Sequence, residues 1–349
     1  MRLKLNPLTV KKIKRFQSIK RGYYSFILFC ILLLIAIFAE LLINNRALIV
    51  YDGDEFYFPT YGSMIPGQTF GLDYDYETNY RELQKVFQAR DDGSFVLMPP
   101  VPYNPLEIDL REGEYPPYAP SFDDGHYLGT DTIGRDMVAR LVYGFRICMA
   151  FSLLLLVLNF SIGILLGCLM GYVGGKFDLF FQRIIEIWSA IPFLYVIMII
   201  SSIIVPNLFI LVLISVVFGW MSLTWYMRTA TYKEKAREYV LAARALGASN
   251  GRIILRHIIP NTISLIVTFI PFAVAGGISA LTALDFLGFG LPAPTPSWGE
   301  LLQQGTSNLQ AIWIISSTVA SLVIVMVAIT FIGEAVREGF DPKLHTIYE

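Results

Sequence analysis

ICMAFSLLLLVLNFSIGILLGCLM, Ile147–Met170, runs for 24 positions without a charged residue. As a helix rising 1.5 Å per residue it would be about 36 Å long, enough to cross a hydrocarbon core of about 30 Å. Five more stretches satisfy the same test: 24–43, 184–205, 208–227, 258–284 and 312–333. Stretches 184–205 and 208–227 are separated only by Pro206 and Asn207, which reads as a tight turn. The whole chain agrees with this reading. Of 349 residues, 55% are hydrophobic and 16% charged, and mean hydropathy is +0.56; an ordinary globular domain is about 25% charged. A disordered chain is excluded, and a soluble multi-domain enzyme is disfavoured. The fold class is an all-α integral membrane protein with about six transmembrane helices. Cys30, Cys148 and Cys168 all lie in apolar runs, and His126, His257 and His345 are far apart, so neither a disulfide framework nor a metal site is expected.

The charges next to the spans set the expected orientation, because Lys and Arg concentrate on the cytoplasmic side. Residues 1–23 hold Arg2, Lys4, Lys11, Lys12, Lys14, Arg15, Lys20 and Arg21 and no acid. Segment 228–257 is also basic, while 284–311 has no Lys or Arg. Segment 44–146 carries 8 basic and 17 acidic residues. Both termini are therefore expected in the cytoplasm. The order of parts is a basic N-terminus, 1–23; a first span, 24–43, too long for the core of a signal peptide; an extracytoplasmic insert with its lead-in, 44–146; a five-helix core, 147–334; and a cytoplasmic tail, 335–349. Within the insert, Ala47–Tyr51 and Phe56–Phe58 flank Asp52–Gly53 as a hairpin would, and Ser94–Met98 reads as a further strand. The prolines at 102, 105, 116, 117 and 120 argue against regular structure there.

Segment 228–257 is the most informative loop. Lys233–Leu246 has helical periodicity, with Ala236, Tyr239, Val240, Ala243 and Leu246 on one face. Gly247 is a natural C-cap. Ser249 or Asn250 would cap a following helix that begins near Arg252, and Pro260 would mark the entry to the fifth span. A short helix with small residues at its centre suits close approach by a partner, and equally a helix resting on the membrane surface. The residues alone leave both open.

Tyr239–Asn261, YVLAARALGASNGRIILRHIIPN, resembles the EAA loop of ABC-transporter permease subunits. Ala242, Ala243, Gly247 and Pro260 stand at that pattern's spacing, while Leu241, His257 and Ile259 replace its Glu, Ile and Leu. Arg256-His257 and Pro260-Asn261 are similar to the variant of the oligopeptide/dipeptide branch. LGTDTIGRDMVARLVYGFRI (128–147), GYVGGKFD (171–178) and LDFLGFGLPAPTPSWGELL (284–302) resemble further blocks of that branch, except that Asp285 and Leu281 depart from it. The long insert is not standard for the branch and resembles that of a peptide and microcin-type importer.

The resemblance implies the permease fold and a bacterial inner-membrane location. It implies a second homologous permease subunit, ATP-binding subunits and a periplasmic peptide-binding protein as partners, besides membrane lipid. The ATPase-coupling residues it implies are Tyr239, Val240, Ala242, Ala243, Leu246, Gly247, Arg256, His257, Pro260 and Asn261. No cofactor, metal or nucleic acid is implied. The chain has no G-x-x-x-x-G-K-[ST] phosphate loop, so it is expected to leave ATP hydrolysis to others. A nickel or glycan permease of the same fold is an alternative. A stand-alone channel or secondary transporter would call for paired mid-membrane charges or inverted repeats, which the sequence does not display.

Overall fold

The computed structural model describes residues 7–90 and 92–340. Residues 1–6, with Arg2 and Lys4, and 341–349, with His345 and most of the expected tail, lie outside the described residues. Among the described residues, five long apolar helices form the bundle: α2 (Lys20–Ile37), α5 (Met137–Val173), α8 (Leu208–Lys235), α11 (Ile259–Phe286) with the turns that precede it, and α13 (Ile312–Phe340). Two shorter helices, α6 (Gly175–Ser189) and α7 (Phe193–Ile203), bent by 66° to each other, together have the apolar length of a sixth span.

That bend corrects the expected straight span 184–205. Pro192 has no N–H to donate and its ring clashes with the preceding turn, so α6 stops at Ser189 and a new helix starts after the proline. Asn207 then caps α8, its Oδ1 accepting from the Ile210 N–H at 2.9 Å. α5 begins ten residues before the apolar run, at Met137, where the Asp136 carboxylate accepts from the Ala139 N–H at 2.8 Å. At 37 residues it is about 55 Å long and must project beyond the hydrocarbon core.

Small residues set the packing. Gly163, Gly167 and Gly171 recur every fourth position along α5 and face α8. A Cβ at Gly167 would lie 2.6 Å from the Thr224 carbonyl, and one at Gly171 would lie 2.6 Å from that of Arg228. Gly277 of α11 meets Ser152 of α5 in the same way. Such close approaches supply the dispersion contacts that hold helices together in lipid. Gly277 therefore serves contact, while its neighbour Gly276 faces open space within the same helix.

The short helix α1 (Pro7–Ser18) lies against the end of α13, with Lys12 Nζ 4.7 Å from the Phe340 ring and 3.1 Å from Ser264 Oγ of α11. Arg21 pairs with Glu334 across α2 and α13. Both described ends of the chain thus share one end of the bundle. The insert occupies the opposite end, after the four-residue helix α3 (Ala39–Leu42). Its strands β1 (Ile49–Tyr51), β2 (Phe56–Tyr57) and β3 (Phe95–Leu97) form an antiparallel sheet in the order β2-β1-β3, with Tyr51 opposite Phe56 and Phe95. The hairpin turn is held by Asp52 Oδ1, which accepts from the N–H groups of Asp54 and Glu55. A helix not expected from the sequence, α4 (Tyr80–Arg90), buries Tyr80, Leu83 and Phe87 beneath this sheet against Val50 and Val96. The insert therefore has a small core of its own.

Candidate functional site

The loop after α8 is not the single helix that the periodicity of Lys233–Leu246 predicts. α8 ends at Lys235, Ala236 and Arg237 form a turn, and a separate helix α9 (Glu238–Ala245) follows. The expected stripe is divided between two environments. Val240 (1% exposed) and Ala243 (9%) turn inward and pack with Cys168 and Tyr172 of α5, Leu223 and Met227 of α8, and Ile253, Ile254 and Ile258. Leu241, Ala242, Ala245 and Leu246 face outward, with Leu246 89% exposed. Tyr239 is half-buried and donates its hydroxyl to Glu234 Oε2 at 2.7 Å; burial, with that carboxylate beside it, pushes the Tyr239 hydroxyl up to about 12.

Gly247 closes α9 with φ +80°, a conformation in which a Cβ is strained. The Gly247 N–H bonds the Arg244 carbonyl at 3.0 Å and the Ala248 N–H bonds the Ala243 carbonyl at 3.1 Å. This pair of bonds is the Schellman end. Ser249 then caps the next helix, α10 (Asn250–Ile253), which runs through a π-helical turn, Ile254–Ile258, directly into α11. Pro260 thus stands inside a continuous helix rather than at its start. Its missing N–H and its ring disfavour regular α hydrogen bonding one turn earlier, where the π turn lies. Asn261 Nδ2 donates to the His257 carbonyl at 2.6 Å, while Arg256 is exposed. Of the ten residues expected from the sequence, Arg256 stands exposed, and Tyr239, Val240 and Ala243 anchor the loop. Ala242 and Leu246 present a surface, and Gly247, His257, Pro260 and Asn261 shape the backbone.

Beside this loop, α6 is tied to α8. Asp178 Oδ1 and Oδ2 accept from Arg228 Nε and Nη2 at 2.6 and 2.7 Å, and Oδ2 also accepts from the Tyr232 hydroxyl at 2.9 Å. Lys235 Nζ donates to the Tyr172 carbonyl. The sequence contained Asp178 in GYVGGKFD but did not reveal its partner fifty residues on.

The opposite end is closed by a second network. Arg135 bonds Asp131 Oδ2 and Glu300 Oε1, each at 2.6 Å, and fully buried Arg140 pairs with Glu300 Oε2 while donating to the Pro294 carbonyl at 2.8 Å. Trp298 is buried; it donates to the Leu141 carbonyl at 2.8 Å and stacks on Phe145. Asp285 accepts from the Ser297 hydroxyl and from the Leu291 N–H, and so organises the turn after α11. His126 is buried between Asp136 (2.7 Å) and Asp109 (3.2 Å) and stacks on Tyr103. These contacts bind the segments 102–136 and 285–300 to the start of α5.

Between the two ends lies a cavity of about 570 Å³. Its walls are single faces of α5 (from Leu155 to Phe160), α8 (Ser215, Gly219, Ser222, Tyr226) and α11 (Phe269, Phe272, Gly276, Ala280), with Phe193 of α7. Among the described residues, no charged side chain lines it. Its volume falls in the range of small-molecule sites.

Five or six candidate spans, with a short helix mounted on one end and a cavity between core helices, make this a multi-span membrane protein. Residues 163–346 match the family described as binding-protein-dependent transport system inner membrane component, and the chain belongs to this family of ABC-transporter permeases. It is similar to the inner membrane ABC transporter permease protein YejE of Escherichia coli strain K12, at 40% identity over 344 residues, 97% of this chain and 98% of the relative. It is 35% identical over 363 residues to the peptidoglycan transport system permease protein YejE of Agrobacterium fabrum, 97% of this chain and 94% of the relative. The oligopeptide transport system permease protein OppC of Haemophilus influenzae is 33% identical over 226 residues, 64% of this chain and 73% of the relative. The family and the multi-span fold expected from Tyr239–Asn261 and its companion blocks therefore stand.

Proposed function

We propose that this chain is the transmembrane permease subunit of an ATP-driven peptide importer, forming half of the translocation path with a homologous subunit and lacking catalysis of its own. The observation that carries the reading is α9. It is fixed to the bundle through Val240 and Ala243 yet presents Leu241, Ala242 and Leu246 outward. An exposed apolar group on a rigid mount is suited to receive another protein, and ATP-binding subunits are the expected occupant. The continuous path from α9 through α10 and the π turn into α11 supports a mechanical role: displacement of α9 moves the helix that lines the cavity. A change in α9 on ATP binding would then bias the cavity between its open and closed forms. Relatives named for oligopeptide and peptidoglycan transport support peptide-bearing cargo, delivered by a periplasmic binding protein to the end that carries the insert.

This reading requires α1, α9 and the end of α13 on the cytoplasmic side and the insert outside. Single cysteines at Ser94 and Ser249, both outside the spans, test it in intact spheroplasts with an impermeant thiol reagent. The position 94 variant should react before lysis and the position 249 variant only after it. The reverse pattern would invert the orientation and place α9 out of reach of any ATPase.

A further inference from the structure

Two side-chain oxygens on the cavity wall are buried without a hydrogen-bond partner: Asn159 Oδ1, near the middle of α5, and Ser215 Oγ of α8. Polar groups at membrane depth are costly and are kept where they face a cavity or serve a function. The space around Asn159 is specifically shaped. Gly219 lies against its carboxamide, and a Cβ at Gly219 would fall 2.4 Å from Asn159 Nδ2 and 2.9 Å from Oδ1. Any larger residue at 219 would displace the amide. The rest of the wall is aliphatic, aromatic or small, with Ser222 and Tyr226 carrying further hydroxyls.

We infer that Asn159, seated on Gly219, and Ser215 form a hydrogen-bonding notch for a main-chain amide of the peptide in transit, an inference that rests on the peptide-importer reading. A carboxamide offers one acceptor oxygen and an N–H donor, the complement of the C=O and N–H that every peptide unit presents. The Ser215 hydroxyl on the same cavity wall supplies a second donor or acceptor. Uncharged walls give no preference for acidic or basic side chains. The notch therefore holds what all peptides share and leaves discrimination among them to the protein that delivers them. The other candidate occupant is a polar group of the second permease subunit.

The test uses the assembled complex, with both permeases, the ATP-binding subunits and the binding protein, in proteoliposomes. Uptake of a labelled acidic tripeptide and a labelled basic tripeptide is compared for the unsubstituted chain, Asn159→Leu, Ser215→Ala and Gly219→Val. Asn159→Leu and Gly219→Val are expected to lower uptake of both peptides by the same factor, roughly tenfold, as loss of a hydrogen bond to a desolvated amide would. Ser215→Ala should have a smaller effect, and subunit stoichiometry should hold. Normal uptake by Asn159→Leu would overturn the notch, as would loss of the second permease from that variant, which would make Asn159 an interface residue. A reduction confined to one of the two peptides would also overturn it. If the unsubstituted complex takes up neither peptide, the peptide-importer reading fails and the notch fails with it.

Discussion

Leu246→Asp combined with Ala242→Glu is expected to release the ATP-binding subunits from the solubilised complex while leaving this chain folded in the membrane. Neither side chain holds its own protein together: both point away from the bundle, and Leu246 is 89% exposed. An apolar anchor at the centre of an interface is worth about 2 kcal/mol or more when truncated, and a carboxylate buried there without a partner adds a desolvation cost. About 2 kcal/mol corresponds to roughly a thirtyfold weaker complex, and two substitutions should exceed that. Copurified ATPase per permease is the measurement, with exposed Lys233→Ala as the control that retains it. Ala243→Glu should differ in kind. Ala243 packs on the inner side of α9, so its replacement detaches the helix from its mount and lowers the yield of folded chain as well. Gly247→Val falls between the two, since a β-branched residue at φ +80° costs at least about 1–2 kcal/mol and would reset the direction of Leu246. Normal ATPase stoichiometry in the Leu246/Ala242 variant would remove α9 as the docking element.

The second large effect is expected at the other end. Glu300→Leu leaves Arg140 buried without its carboxylate partner and takes one of two from Arg135. Breaking a buried ion pair from one side costs about 3–5 kcal/mol, because an unneutralised charge remains. That is a large share of the stability of most folded proteins. The expected result is little or no monodisperse protein in detergent, or a sharply lowered melting temperature. Adding Arg140→Met to the same chain should recover part of the loss by removing the stranded charge. Equal behaviour of the single and double variants would show that the pair does not hold 285–300 onto α5.

The spans were legible because lipid imposes one simple requirement, about 20 apolar residues per crossing, and Ile147–Met170 meets it without ambiguity. The same criterion passes over the break at Pro192, because hydropathy does not register direction and α6 and α7 together have the apolar length of a crossing. α4 was missed although Tyr80, Leu83 and Phe87 stand at helical spacing, since charged and polar neighbours dilute the signal in an 11-residue segment. At α9 the periodicity located an apolar face, but periodicity carries no information about which protein covers it. Val240 and Ala243 proved to be covered by this chain, leaving Leu241, Ala242 and Leu246 outward. Gly247 was legible because a left-handed helix end asks for glycine. Asp178 with Arg228, His126 with Asp136, and Asn159 with Gly219 were not, because each pairing is made by tertiary packing between residues that no motif links.

The central claim, that this chain forms half of the membrane path of an ATP-driven peptide importer, is tested most directly by accumulation of a labelled peptide in proteoliposomes. The vesicles would hold this chain with its second permease and ATP-binding subunits, with the binding protein supplied on the outer side and ATP inside. Accumulation that requires ATP and the binding protein, and that disappears when this chain is omitted or carries Leu246→Asp with Ala242→Glu, is the expected result. Peptide entry through this chain alone, without ATP or ATPase, would contradict it.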